Sequence, residues 1–84
     1  MAQAEQVLLA DQSNGTAAPP WSNLSLRDLN VLHLLADGRS TADIAVVLAY
    51  SESTIKNVIH DLVRQLSARN RAHAVAMAIR AGVI

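Results

Sequence analysis

Ser40-Thr-Ala-Asp-Ile-Ala-Val-Val-Leu-Ala-Tyr-Ser-Glu-Ser-Thr-Ile-Lys-Asn-Val-Ile-His-Asp-Leu-Val-Arg-Gln-Leu66 is the stretch that decides the fold. Ser40 and Ser51 are both good helix N-caps, because a serine hydroxyl accepts from an amide of the first turn. The helix opened by Ser40 runs to about Leu48, so only Ala49 and Tyr50 separate it from the next cap. So tight a connection cannot lay two helices antiparallel, as a plain helical hairpin would; they cross steeply, as in a helix-turn-helix.

The helix that follows, from Ser51 to about Leu66, has two distinct faces. At about 100° per residue, Ile55, Val58, Ile59, Leu62 and Leu66 share one arc, the expected core stripe. The opposite arc carries Ser53, Lys56, Asn57, His60 and Arg64, with Glu52 and Asp61 at its flanks. A face that merely meets water, the plainer reading, would mix both signs and include several glutamates. Hydroxyl, ammonium, amide, imidazole and guanidinium groups suit a surface bearing acceptors and negative charge. In the major groove, lysine donates to guanine O6 and N7, and asparagine pairs with the adenine edge. Lys56, Asn57 and His60 are therefore the expected base contacts. Ser51, Ser53 and Thr54 stand beside free amides at the helix start and suit a phosphate. Arg64 is expected to meet the DNA backbone.

Outward from this core, Leu24 to Gly38 reads as a first helix, with Ser25 as N-cap, Asp28 completing a capping box, and Leu24 and Leu29 placed for a hydrophobic staple. The fourth helix follows Asn70, from Arg71 to Ala81, and ends at Gly82. On it, Val75, Ala78 and Ile79 are expected to face the core with Ala72 beside them. Ala74, Met77 and Ala81 form a second patch, expected to contact another copy of the chain; the alternative is that alanine is simply the best helix former. The fold class is all-α: four helices over residues 23–84, preceded by a flexible segment, 1–22. Within that segment residues 1–10 could form a short helix and Asp11 to Pro20 read as a linker. Trp21 is expected to pack on the first helix or, less simply, to mark a docking point.

Composition agrees and excludes other classes. The chain has 84 residues, no cysteine and a formal net charge of zero. One small domain is all this length supports. No disulfide or thiolate site is available, and His33, His60 and His73 are too scattered for a metal; no cofactor is implied. No stretch reaches the ~20 apolar residues of a membrane span, and no secretion signal opens the chain, so a cytoplasmic protein is expected. Charge is uneven: Ser51 to Ile84 carries five cations against two acids, a balance of +3. An enzyme is not expected, since no nucleophile–base pair or paired carboxylates share a face, and His60 and Asp61 point to different sides of their helix.

The sequence resembles the LuxR-type (GerE/NarL/FixJ-like) helix-turn-helix family. Leu24-Ser-Leu-Arg-Asp-Leu-Asn-Val-Leu-His-Leu-Leu-Ala-Asp-Gly38 is similar to LSxRExEVLxLLAxG. Ser40-Thr-Ala-Asp-Ile-Ala45 is similar to SxxEIA, Ser51-Glu-Ser-Thr-Ile-Lys56 to SxxTVK, and Leu66 to Ile84 to LxxxxRxxAVAxAxxxGLI. The resemblance implies a bacterial transcription regulator, of the kind that forms response-regulator output domains, with its third helix in the major groove of double-stranded DNA and its fourth pairing two copies. It places base contacts on Lys56, Asn57 and His60 and backbone contacts on Ser53, Thr54, Thr41 and Arg64. This chain departs from the pattern at Val58, where many members have histidine, at Asp28, where glutamate is usual, and at Ala49, where glycine or asparagine is common. Twenty-odd residues stand where members usually carry a receiver or ligand-binding domain. The chain is thus a single-domain regulator or an excised fragment, its initial methionine favouring the first. RNA polymerase and a full-length LuxR-type protein are further candidate partners. Two other functions compete: an anti-activator that pairs with a full-length relative, and a sigma-factor-like promoter reader, against which the AVAxA…GxI ending argues.

Overall fold

Each of the four helices opens on a side chain that closes its own first turn. Ser25, Ser40, Ser51 and Asn70 accept from the amides of Asp28, Asp43, Thr54 and His73 at 3.1, 3.1, 3.0 and 2.8 Å. These are the four caps expected from sequence, and replacing such a cap by alanine costs about 1 kcal/mol. Asp28 returns a bond from the Ser25 amide, completing the capping box. The computed structural model describes residues 19–84 of the chain. In it the helices are α1, Leu26–Ala36; α2, Thr41–Leu48; α3, Glu52–Gln65; and α4, Arg71–Arg80. No strand occurs among the described residues. The short helix and most of the linker expected before residue 19 lie outside them.

All four helices also end in the same way. Gly38, Ala49, Ser67 and Gly82 have φ of 82°, 62°, 54° and 72°, the left-handed region. The residue after each reaches back to a carbonyl five positions earlier. Arg39 donates to Leu34 at 3.0 Å, and Tyr50 to Ala45, Ala68 to Val63 and Val83 to Ala78 at 2.9 Å. This is the Schellman closure, which satisfies carbonyls the helix leaves orphaned. Ala49 and Ser67 adopt it without glycine's freedom, against a steric cost of about 1–2 kcal/mol.

The core gathers Val31 and Leu32 of α1, Ile44 and Ala45 of α2, and Ala74 and Ala78 of α4 around the whole predicted stripe of α3, Ile55, Val58, Ile59, Leu62 and the following Leu66. Leu24, Val83 and Ile84 pack in from the flanks. No polar or charged residue among those described is buried.

Two expectations change. Ile79 is 54% exposed, so it does not face the core, whereas Ala74 is 1% exposed and does. Alanines let α4 approach its neighbours closely, and they carry too little hydrophobic signal for periodicity to tell which of them point inward. Ala74 is therefore covered by its own chain and cannot belong to a surface offered to a second copy. Residues 20–22, read above as the end of the flexible segment, form with Asn23 a 3₁₀ turn, Pro20–Asn23. Proline fixes φ near the helical value, and the Ser22 hydroxyl donates to the Pro19 carbonyl at 2.7 Å. Trp21, within this turn, remains 37% exposed.

Candidate nucleic-acid interface

The helix-turn-helix geometry fixes what α3 can present. Ile55, Val58, Ile59 and Leu62, with Leu66 just beyond the end of the helix, are drawn into the core, so Ser53, Lys56, Asn57, His60 and Arg64 are all left exposed on the opposite side. Lys56, His60 and Arg64 follow at four-residue steps, a single row along the helix. At 1.5 Å per residue that row is about 12 Å long, comparable to the ~12 Å width of the major groove. Ser53 and Asn57 run beside it at the N-terminal end.

Electrostatics leaves these cations available. Lys56 Nζ lies 3.9 Å from Glu52 Oε2, and Arg64 Nη1 lies 4.0 Å from Asp61 Oδ1. The lysine and arginine side chains are 64% and 73% exposed. Ion pairs this exposed contribute about 0.2–1 kcal/mol at most, so each cation is readily exchanged onto a phosphate or a base edge. The flanking acids thus hold the ends of the row loosely, while no ion pair engages His60 at its middle.

The N-terminus of α3 differs in detail from the simple anion site read from sequence. The Ser51 hydroxyl is committed inward: it accepts from the Thr54 amide at 3.0 Å and donates to the Thr54 hydroxyl oxygen at 2.8 Å. Thr54 keeps its own hydroxyl proton to donate, though it is half-buried. The groups turned outward are the exposed Ser53 hydroxyl and the first-turn amides of Glu52 and Ser53, which precede the helical ladder. Thr41, the first residue of α2, is half-buried behind its Ser40 cap. Ser53, Lys56, Asn57, His60 and Arg64 thus come together on one face; Ser51 and Thr54 shape that face from its edge.

A second surface lies on α4. Val75 packs against the core beside the inward Ala74 and Ala78, as expected from sequence, and the helix turns Ala72, Ala76 and Ile79 toward its outer side. Ala72 and Ile79 are exposed, and Val75 and Ala76 half-buried. Of the patch read from sequence, Ala74 drops out, Met77 is half-buried and Ala81 is exposed beyond the last turn. The outward stripe of Ala72, Ala76 and Ile79 is visible in the sequence only once the inward alanines are known.

Among the described residues no helix is long and apolar enough to cross a membrane, and no group of three metal-ligating side chains occurs.

Residues 22–78 match the family model described as "Bacterial regulatory proteins, luxR family". The chain is 40% identical over 75 residues to the nitrate/nitrite response regulator protein NarP of Escherichia coli (strain K12), covering 89% of this chain and 35% of that protein. It is 34% identical over 76 residues to the transcriptional activator protein CarR of Pectobacterium carotovorum subsp. carotovorum, covering 90% and 31%. Among solved structures, the transcription factor GerE superposes with a TM-score of 0.69 at 32% identity, over 70% of this chain and 88% of that one. The chain spans about a third of the length of the curated relatives it matches.

Proposed function

The chain belongs to the luxR family of bacterial regulatory proteins and carries that family's helix-turn-helix DNA-binding domain, and from this premise we propose that it regulates transcription by reading a specific duplex sequence with α3. Lys56, Asn57 and His60 contact base edges; Ser53, Arg64 and the first-turn amides of α3 hold phosphates, with Thr54 and Thr41 beside them and Ser51 fixing the turn. One observation carries this reading: the five polar or cationic side chains are exposed on one face of a helix whose other face is buried. The relatives' printed descriptions, a response regulator and a transcriptional activator, support the class of function.

Two copies pair through the seam Ala72, Ala76 and Ile79, with Ala81 at its end and Met77 to one side. Paired recognition helices would read a two-fold symmetric site. Pairing with a full-length relative, the anti-activator alternative, would use the same seam.

Selection of bound duplexes from a randomised library, at moderate and at raised salt, tests the assignment. A two-fold symmetric motif is expected for the native chain. Lys56→Ala should weaken binding to it by about 5- to 150-fold, the equivalent of the 1–3 kcal/mol of one good base contact. Arg80→Ala, which removes an equal charge from the far end of α4, should leave the motif unchanged and lower affinity slightly at every sequence. Enrichment of no motif, with binding that fades as salt rises, would reduce the interaction to phosphate attraction and leave protein pairing as the function.

A further inference from the structure

The junction between α3 and α4 is closed by a side chain that can change its charge. The Arg69 amide donates to Nδ1 of His73 at 3.0 Å, while the His73 amide donates to Oδ1 of Asn70 at 2.8 Å. This resembles the capping box usually completed by glutamate or glutamine three residues after the N-cap. It differs in that His73 accepts from the amide of Arg69, one residue before the N-cap Asn70, rather than from that of Asn70 itself. Glutamate and glutamine accept through a side-chain oxygen. Histidine accepts through Nδ1 only while that nitrogen carries no proton, because both ring nitrogens of the imidazolium are donors.

Protonation would therefore turn an acceptor aimed at an amide into a donor facing a donor. The charged surroundings offer no compensation. Arg69 and Arg71 flank the site in the chain, and the first turn of α4 contains no acid. On the last turn of α3, the element packed on one side of α4, the charged group is Arg64, with Asp61 engaged on it at 4.0 Å. On α1, which packs on the other side of α4 and shares with it a hollow lined by Leu35, Ala36, Arg71, Ala72 and Val75, the ionisable groups at the C-terminal end are His33 and the C-cap residue Asp37. A positive charge on His73 would also sit at the positive end of the α4 dipole.

We propose that His73 is an acid-sensitive latch: it holds the first turn of α4 only while its imidazole is neutral, so that acidification loosens that turn and with it the pairing of two copies. The stabilising bond belongs to the neutral ring alone, because only an unprotonated Nδ1 can accept from the Arg69 amide. The step from latch to pairing rests on the reading of the α4 seam given above, since Ala72 lies in the turn being released. The latch itself does not.

The full chain, labelled with ¹⁵N, is titrated from pH 8 to pH 5.5 beside His73→Gln, which keeps a side-chain acceptor at every pH. In the native chain the Arg69 amide resonance, and those of residues 71–74, should move toward unstructured positions in step with the His73 ring resonances. In His73→Gln they should stay fixed. An Arg69 amide indifferent to the ring's titration, or an equal response in the glutamine variant, overturns the latch. Binding to a two-site duplex over the same range then tests its consequence. Cooperativity lost on acidification in the native chain and kept in His73→Gln is the expected result. Cooperativity unchanged by pH while the turn opens overturns the coupling. Cooperativity absent from both proteins at every pH overturns the pairing seam instead, leaving the latch standing.

Discussion

Helices α3 and α4 have similar neighbours and opposite designs. In α3 the two faces differ in residue type. Large aliphatic side chains fill the core, and polar or cationic ones are left outside. In α4 both faces are alanine-rich, the core side being Ala74 and Ala78 and the largest aliphatic of the helix, Ile79, lying outside. The contrast follows from what each helix must do. A reading helix is surrounded by its own domain on one side and by water and nucleic acid on the other, so the two environments select different chemistry. If α4 pairs two copies as proposed, it meets protein on both sides, and its faces would come to look alike.

The largest effect should come from breaking the inward face of α3. Leu62 is 2% exposed at the centre of the core, and Leu62→Ala should lose about 2–5 kcal/mol. For a domain this small that is a large part of the stability. Urea denaturation should show a sharply lower midpoint, with DNA binding lost because the fold is lost. The matching changes in α4 separate its two faces. Ala74→Leu forces three further carbons into a closed site and should cost about 1–3 kcal/mol. Ile79→Arg lies on the exposed seam and should leave the denaturation midpoint nearly unchanged while abolishing cooperative binding to paired sites. A destabilised Ile79→Arg, or an Ala74→Leu that is neutral in stability and loses cooperativity, would reverse the faces assigned here.

The same contrast explains what could be read from the sequence. Every N-cap was legible, because serine and asparagine bond to amides three residues away and need no tertiary information. The core stripe of α3 was legible because Ile55, Val58, Ile59, Leu62 and Leu66 are large enough for periodicity to mark them. The outer face of α3 was legible for the same reason. The inward side of α4 was not: alanine is accepted on either face, and Ile79 alone pointed to the wrong one. The 3₁₀ turn at Pro20–Asn23 was hidden by prolines that signal a linker and a tight turn equally well. The inward commitment of the Ser51 hydroxyl depends on a rotamer choice that sequence does not carry.

The smallest expected effect concerns the helix ends, where the four Schellman closures form a controlled comparison within one molecule. Gly38 and Gly82 close α1 and α4, and at neither would an added Cβ meet another atom within 4 Å. Ala49 and Ser67, which end the two helices of the helix-turn-helix, hold nearly the same left-handed conformation with a Cβ in place. Conformation alone, rather than crowding, should therefore govern substitution at Gly38 and Gly82. Replacing Ala49 by glycine relieves a steric cost of about 1–2 kcal/mol while giving the unfolded chain more freedom, an opposing effect of about 0.4–1 kcal/mol. The net expectation is a gain of about 0–1.6 kcal/mol for Ala49→Gly, and a loss of comparable size for the reverse change, Gly38→Ala. Thermal unfolding of the two variants should move in opposite directions. The Ala49 variant also bears on recognition, because its turn sets the angle at which α3 leaves α2. A more stable Ala49→Gly protein with unchanged affinity would show that the Tyr50 to Ala45 hydrogen bond holds the angle without help from the side chain. A more stable protein that binds its site less well would show that the strained alanine restricts the turn to the angle the groove requires.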